Sequence, residues 1–330
     1  MVKCPECGLE LSEFYRFCSR CGAILSSPID VNDPSLGEPK RRIREAIAQR
    51  NTTDRIISPW WILVIIITMS VTYIAFFAIL FSDLNDISPS DSESFLDAWS
   101  ASVVGLLAIS AFIQAAFCAL AYMMVRRLNA HFFRERILRT AVLDLVRAAS
   151  IPTKKYDIVA PELYQMEFAN NVQEKERDPV LWTIAIGLSI VSAVISVIVF
   201  VLTSDRPETG LGFAGIGLSL GISIPFSIIS YICTVYVLYF LSKDFYEHDG
   251  RWYNFSYTSR IALSKLGFPK GGSFRVSRLP ERSMTLYIIL TIFLGIFIYY
   301  WWYADLKDPN DHFKSQWEFE DHLWRALDFR

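Results

Sequence analysis

Long uncharged runs alternate with short charged stretches along the chain, and the runs have the length of membrane-crossing helices. They predict spans at residues 59–81, 99–125, 179–201, 211–241 and 284–303. The first, Pro59–Phe81, would be about 35 Å long as a helix, enough to cross, with Trp60 and Trp61 at its interface. Ala108, Ala111, Ala115 and Ala119 give the second a small-residue stripe for close helix packing. The fourth carries Gly212, Gly215, Gly217 and Gly221, then Pro225; close packing is the plainer role for these residues, a gate hinge the sharper one.

The intervening segments set the orientation. Asp83, Asp86, Asp91, Glu93 and Asp97, with no Lys or Arg among them, place the first connection outside. Arg126, Arg127, Arg134, Arg136 and Arg139 hold loop 126–178 in the cytoplasm, and a similar basic set holds loop 242–283 there. The N-terminus begins with cysteines and charges in place of a signal peptide, so it is expected to stay cytoplasmic. The fifth segment conflicts with this order. Its length favours a crossing, while Gly295 in mid-run and the cluster Tyr299–Tyr303 suit a re-entrant segment. The fold class is a mostly α polytopic bundle of the cell membrane, with about five spans, or four plus a re-entrant segment. Membrane lipids are its surroundings, and a homo-oligomer is compatible with it.

Composition agrees: 52% of residues are hydrophobic and mean hydropathy is +0.30, while a net charge of −2 provides no global field for a polyanionic partner.

The N-terminus departs from this pattern. Cys4-Pro5-Glu6-Cys7-Gly8 and Cys18-Ser19-Arg20-Cys21-Gly22 are two Cys-x-x-Cys knuckles, each followed by glycine. Four thiolates close a tetrahedral site with no position left for water, which is structural Zn²⁺ rather than catalytic zinc. A disulfide pair or a rubredoxin-like iron site are the competing readings. The gap between the knuckles, residues 8–17, is short for a ribbon but fits a minimal β-hairpin. Residues 1–25 resemble the short zinc-ribbon family found at the N-termini of archaeal and bacterial membrane proteins. Lys3, Arg16 and Arg20 are balanced by Glu6, Glu10 and Glu13, so the surplus of cations that phosphate binding requires is missing and a protein partner is expected in place of nucleic acid. Residues 26–58 are expected to form a flexible linker and basic juxtamembrane segment, 59–304 the membrane region, and 305–330 a C-terminal amphipathic helix.

Three histidines follow apolar segments at matching places: Asn129-Ala130-His131-Phe132, Glu247-His248, and Asn310-Asp311-His312-Phe313. Arg134 and Arg251 each stand three residues beyond a histidine. The pattern reads as a weak internal repeat of helix, exit motif and cytoplasmic amphipathic helix. Helix-end hydrogen bonding is the more economical role for the histidines, joint metal binding the sharper one. The run Gly295–Tyr303 followed by Asp308-Pro309-Asn310-Asp311-His312-Phe313 resembles an uncharacterised family of prokaryotic, chiefly archaeal, membrane proteins, from which no activity carries over.

The five apolar segments contain no Asp, Glu, Lys, Arg or His, which argues against catalysis within the bilayer. The expected function is a non-enzymatic membrane scaffold or sensor whose ribbon and cytoplasmic helices dock a protein. A channel or carrier for a neutral or lipidic solute is the alternative. A cytoplasmic-face enzyme using His131, His248 and His312 comes third.

Overall fold

The computed structural model describes residues 2–3, 8–11, 33–86, 92–204, 211–268 and 277–327. Near the N-terminus two short strands, β1 (Val2–Lys3) and β2 (Glu10–Leu11), pair antiparallel. The predicted zinc ligands Cys4, Cys7, Cys18 and Cys21 lie outside the described residues. A 3-10 turn at Pro34–Leu36, capped by Asp33, leads into α1 (Gly37–Ala48) and α2 (Arg50–Thr53).

Three helical hairpins follow. In the first, α3 (Trp61–Asp86) runs antiparallel to α4 (Ser92–Ser150), with the Tyr73 hydroxyl 3.1 Å from Ser110 Oγ. A connecting helix, α5 (Tyr156–Asn171), precedes the second, made of α6 (Pro179–Ile186), α7 (Leu188–Ser204) and α8 (Leu211–Leu266). The third is α9 (Met284–Phe293) and α10 (Phe297–Ala326). Windows in α3, α4 and α8 are long and apolar enough to cross a bilayer, and α6 with α7 qualifies as a fourth if the pair, bent by 41°, is one span. Their outer faces carry Val71, Ile74, Phe77, Ile198 and Ile232, all exposed. Apolar surface so extensive is what a bilayer covers.

The bend in the second hairpin has a local cause. At Gly187 the helix breaks and frees the Ile186 carbonyl, which accepts from Gln114 Nε2 at 2.9 Å and from the Ser230 hydroxyl. A Cβ on Gly187 would stand 3.4 Å from Cys118 Sγ, so the small residue allows α4 to approach. Gln114, the most polar side chain of the apolar runs apart from hydroxyls, thus satisfies a broken helix.

Three expectations are corrected. First, α4 and α8 do not stop where their apolar runs stop. No glycine or proline interrupts the sequence between Gly105 and Pro152, so the helix propagates through Arg126 to Ser150, about 88 Å in all. The supposed exit motifs are interior to helices. α8 likewise runs to Leu266 and is ended by Gly267, at φ +98°, where the N–H groups of Gly267 and Phe268 both bond the Leu263 carbonyl. Second, residues 284–303 are not one continuous helix, which departs from the five-crossing expectation and agrees with the re-entrant alternative. α9 has 10 residues and the chain reverses over Leu294–Ile296; α10 returns alongside, with the Tyr287 ring 5.1 Å from Phe297 and 5.4 Å from Trp301. Arg282, just before α9, pairs with Asp308 of α10 at 2.7 Å, so the third hairpin begins and ends at one level. Third, among the described residues nothing packs against Gly217 or Gly221, since a Cβ on either meets no atom within 4 Å.

Two cores result. One surrounds Phe117, Met124, Trp301 and Trp302 among the apolar helices. The other, built by Leu138, Val142, Leu145, Phe255 and Phe319 with Ile43 of α1, lies in the helix extensions. The apolar residues of Leu138–Val146, on the extension of α4, therefore pack inside a helical layer, where every one of them is buried.

Candidate metal centre where the three hairpins meet

Between the two cores the second helix of each hairpin contributes one histidine: His131 from α4, His248 from α8 and His312 from α10. Glu135, one turn beyond His131, shares its face of α4. These four side chains are at most 2% exposed, and one ligand atom from each lies within 4.8 Å of the others. His131 Nε2 is 3.2 Å from His248 Nε2, and Glu135 Oε2 is 2.6 Å from His248 Nε2, 3.4 Å from His131 Nε2 and 4.0 Å from His312 Nε2.

The opposite ring nitrogens fix the tautomers. His131 Nδ1 is 3.0 Å from Asp54 Oδ1, His248 Nδ1 is 3.1 Å from Glu174 Oε1, and His312 Nδ1 is 2.7 Å from Asp249 Oδ1. A carboxylate accepts, so each Nδ1 carries its proton and donates, leaving each Nε2 a lone pair that points inward. Those carboxylates are themselves held. Arg134 donates to Asp54 Oδ2 at 2.5 Å and Trp317 Nε1 to the same oxygen at 3.0 Å. Arg251 grips Glu174, and the Leu279 amide donates to Asp249 Oδ2 at 3.0 Å.

The repeat in the sequence now has a physical meaning. In His131-x-x-Arg134 and His248-x-x-Arg251 the arginine holds the carboxylate that orients the histidine. Asn129 Nδ2 donates to the Arg177 carbonyl at 2.7 Å and Asn310 Nδ2 to the Ile57 carbonyl at 2.7 Å, and each side-chain oxygen accepts the amide of the same residue. The gripped segments, Asp54–Pro59 and Glu174–Pro179, each place the orienting carboxylate three residues before the gripped backbone and a proline five residues after the carboxylate. The third hairpin differs: Ser315 stands where arginine would be, and Asp249 of the second hairpin orients its histidine.

Phe132 and Phe313 wall the cluster, their ring centroids 4.4 Å from His248 and His131. In this dry setting burial raises the cost of charge on Glu135, yet His248, Arg139 and His131 outweigh it and hold its carboxyl well below the usual range. Burial pushes His312 down, toward the neutral form. Burial also opposes charge on His248, but Glu135 and Glu174 override it and raise this histidine. Four carboxylates, Asp54, Glu135, Glu174 and Asp249, face three guanidiniums, Arg134, Arg139 and Arg251; the site has room in its charge balance for a cation.

Sequence reading placed His131, His248 and His312 at equivalent positions, with joint metal binding as the sharper alternative to helix-end hydrogen bonding, and it missed Glu135, Asp54, Glu174 and Asp249. The His131-x-x-x-Glu135 spacing was the available signal, hidden because the helix was expected to have ended. Neither a curated protein nor a solved structure matches the chain. Residues 3–25 match the model of the zinc-ribbon domain family, which supports zinc binding at the N-terminus.

Proposed function

We propose that the protein is a non-enzymatic membrane scaffold or sensor, with the histidine centre as its responsive element and the ribbon as its docking module. One observation supports this above others. Asp54, which orients His131, belongs to the segment that leads from the ribbon into the helices, so that segment contributes directly to the centre. In this reading Cys4, Cys7, Cys18 and Cys21 hold structural zinc and ribbon and centre face the cytoplasm, which the basic residues around the helix extensions support.

The test is quantitative co-purification from native membranes, comparing wild type with a Cys18→Ser/Cys21→Ser chain of equal abundance. A partner enriched with wild type and lost with the variant is expected. Identical recovery would sink the docking role.

A second reading has its own support. Between α4, α7, α8 and α10 lies a crevice of about 490 Å³ lined by Ser110, Gln114, Ser192, Ser223, Ser230 and Thr234. Hydroxyls without charge at this depth suit a neutral solute. If filling it with Ser223→Phe left liposome flux of such solutes unchanged, the carrier reading would fall.

A further inference from the structure

We infer that His131, His248 and His312, through Nε2, and Glu135, through a carboxylate oxygen, bind one divalent transition-metal ion. The inference names the input of the sensor proposed above and rests on that reading only for its consequence; the site stands on geometry. Three lone pairs and a carboxylate converge in a buried space, and among the described residues no hydrogen-bond donor reaches His312 Nε2 or either Glu135 oxygen. Arg139 Nε, 3.2 Å from Oε1, is the nearest cation and lacks bonding geometry. Four acceptors facing one another without a donor repel, and burial removes the water that would separate them. A cation among them removes the conflict.

The number and type of the ligands point to the class of cation. Zn–N bonds of about 2.0–2.1 Å in a tetrahedron give ligand–ligand edges of about 3.3 Å. The separations of 3.2 and 3.4 Å match, while those of 2.6 and 4.0 Å, in a set that lies within 4.8 Å, would adjust as the ion binds. Imidazole nitrogens favour zinc, iron, cobalt or nickel over Mg²⁺ and Ca²⁺, which take oxygen ligands in larger number. Each histidine also has the carboxylate behind it that metal-binding histidines characteristically have, and those carboxylates are in turn anchored. Three nitrogens and one oxygen complete four-coordination, so the ion would be enclosed, joining α4, α8 and α10 at one point. The competing occupant is a proton shared between His248 and Glu135.

The test uses the full chain in detergent or nanodiscs, with metal content measured per chain. Wild type is expected to carry about two transition-metal ions, a Cys4→Ser/Cys7→Ser/Cys18→Ser/Cys21→Ser chain about one, and that chain with His248→Ala and His312→Ala none. Co²⁺ added to the cysteine-free chain should give the visible bands of tetrahedral cobalt without thiolate charge transfer. Because the double histidine variant could misfold, Asp249→Asn serves as a second probe: it leaves every ligand in place and should weaken Co²⁺ affinity by about 10–100-fold. A cysteine-free chain that is folded by circular dichroism yet binds neither Zn²⁺ nor Co²⁺ at any pH overturns the inference and leaves the shared proton. Metal at the centre with partner recovery unaffected by its removal keeps the site and discards the sensor.

Discussion

At the scale of single residues, the most consequential group outside the four inward-facing side chains is Arg134. It is fully buried and shared between Asp54, at 2.5 Å, and Glu320, at 2.6 Å. Arg134→Leu would strand two buried carboxyls, and breaking a buried pair typically costs about 3–5 kcal/mol. A large drop in thermal midpoint is expected, together with weakened Co²⁺ binding, because Asp54 would no longer be held against His131. An unchanged midpoint would mean the two carboxyls relax into water. The two carboxyls do not share the arginine equally. Burial and the neighbouring Asp54 charge push Glu320 up to about 7 despite Arg134 and Gln316, whereas in Asp54 the pull of His131, Arg134 and Trp317 wins over burial and lowers it. A carboxyl whose folded pKa is raised contributes stability that is complete below its unfolded value and is lost as pH rises through the folded one. Between about pH 4.5 and 7 this carboxyl should therefore lower the wild-type midpoint, and Glu320→Gln should flatten that fall. Equal slopes in both chains would refute the assignment. None of this could be read from the chain alone, since Arg134 and Glu320 lie far apart in sequence, and a charged run such as Arg134-Glu135-Arg136 ordinarily marks a solvated face.

At the scale of elements, the apolar runs were legible because their length and lack of charge leave few alternatives to a buried or membrane helix. Boundaries were not. Arg126 looked like the end of a span because charge cannot remain in lipid, but the helix itself has no reason to stop until Pro152. Lipid exit and helix end are different events, and only the first is written in hydropathy. The third hairpin shows the reverse failure: its apolar run is long enough to cross, yet Gly295 sits in a reversal that hydropathy does not register. The cluster Tyr299–Tyr303, which suited a re-entrant segment, contributes Trp301 and Trp302 to the inner core. This predicts a labelling pattern. In a chain whose native cysteines are replaced, Ala48→Cys and Lys314→Cys, both at exposed positions, should react with an impermeant thiol reagent from the same side of sealed vesicles. At 10 residues α9 reaches about 15 Å, half a bilayer, so Gly295→Cys at its far end should react from neither. Labelling of Lys314→Cys from the opposite side would restore a crossing segment in place of the hairpin.

At the scale of the molecule, the three hairpins are interlocked in sequence order. Asn129 of the first grips the segment leading into the second, Asp249 of the second grips Leu279 leading into the third, and Asn310 of the third returns to Ile57, before the first. The ring closes on the short stretch that also carries Asp54. That stretch is held by side chains far away in the chain: Arg127 reaches the Arg55 carbonyl at 3.3 Å, Trp317 and Arg134 reach Asp54, and Arg50 pairs with Asp321 at 2.5 Å. It contains few apolar contacts of its own, so its position depends on these polar grips and through them on the histidine centre. Asp54→Ala removes the node where the grips meet without touching a ligand of the centre. Limited trypsin digestion should then cut at Arg50 and Arg55 several-fold faster than in wild type, while the fragment carrying α3 to α10 stays folded and resistant. Chelation of wild type should accelerate the same cuts, because a centre that loses its cation no longer holds His131, and with it Asp54, in place. If Asp54→Ala accelerates cleavage and chelation does not, the latch operates independently of the centre. If neither does, the segment is anchored by the packing of Ile43 and Ile47 on α4, and the ribbon's attachment is fixed, with no response for a sensor to transmit.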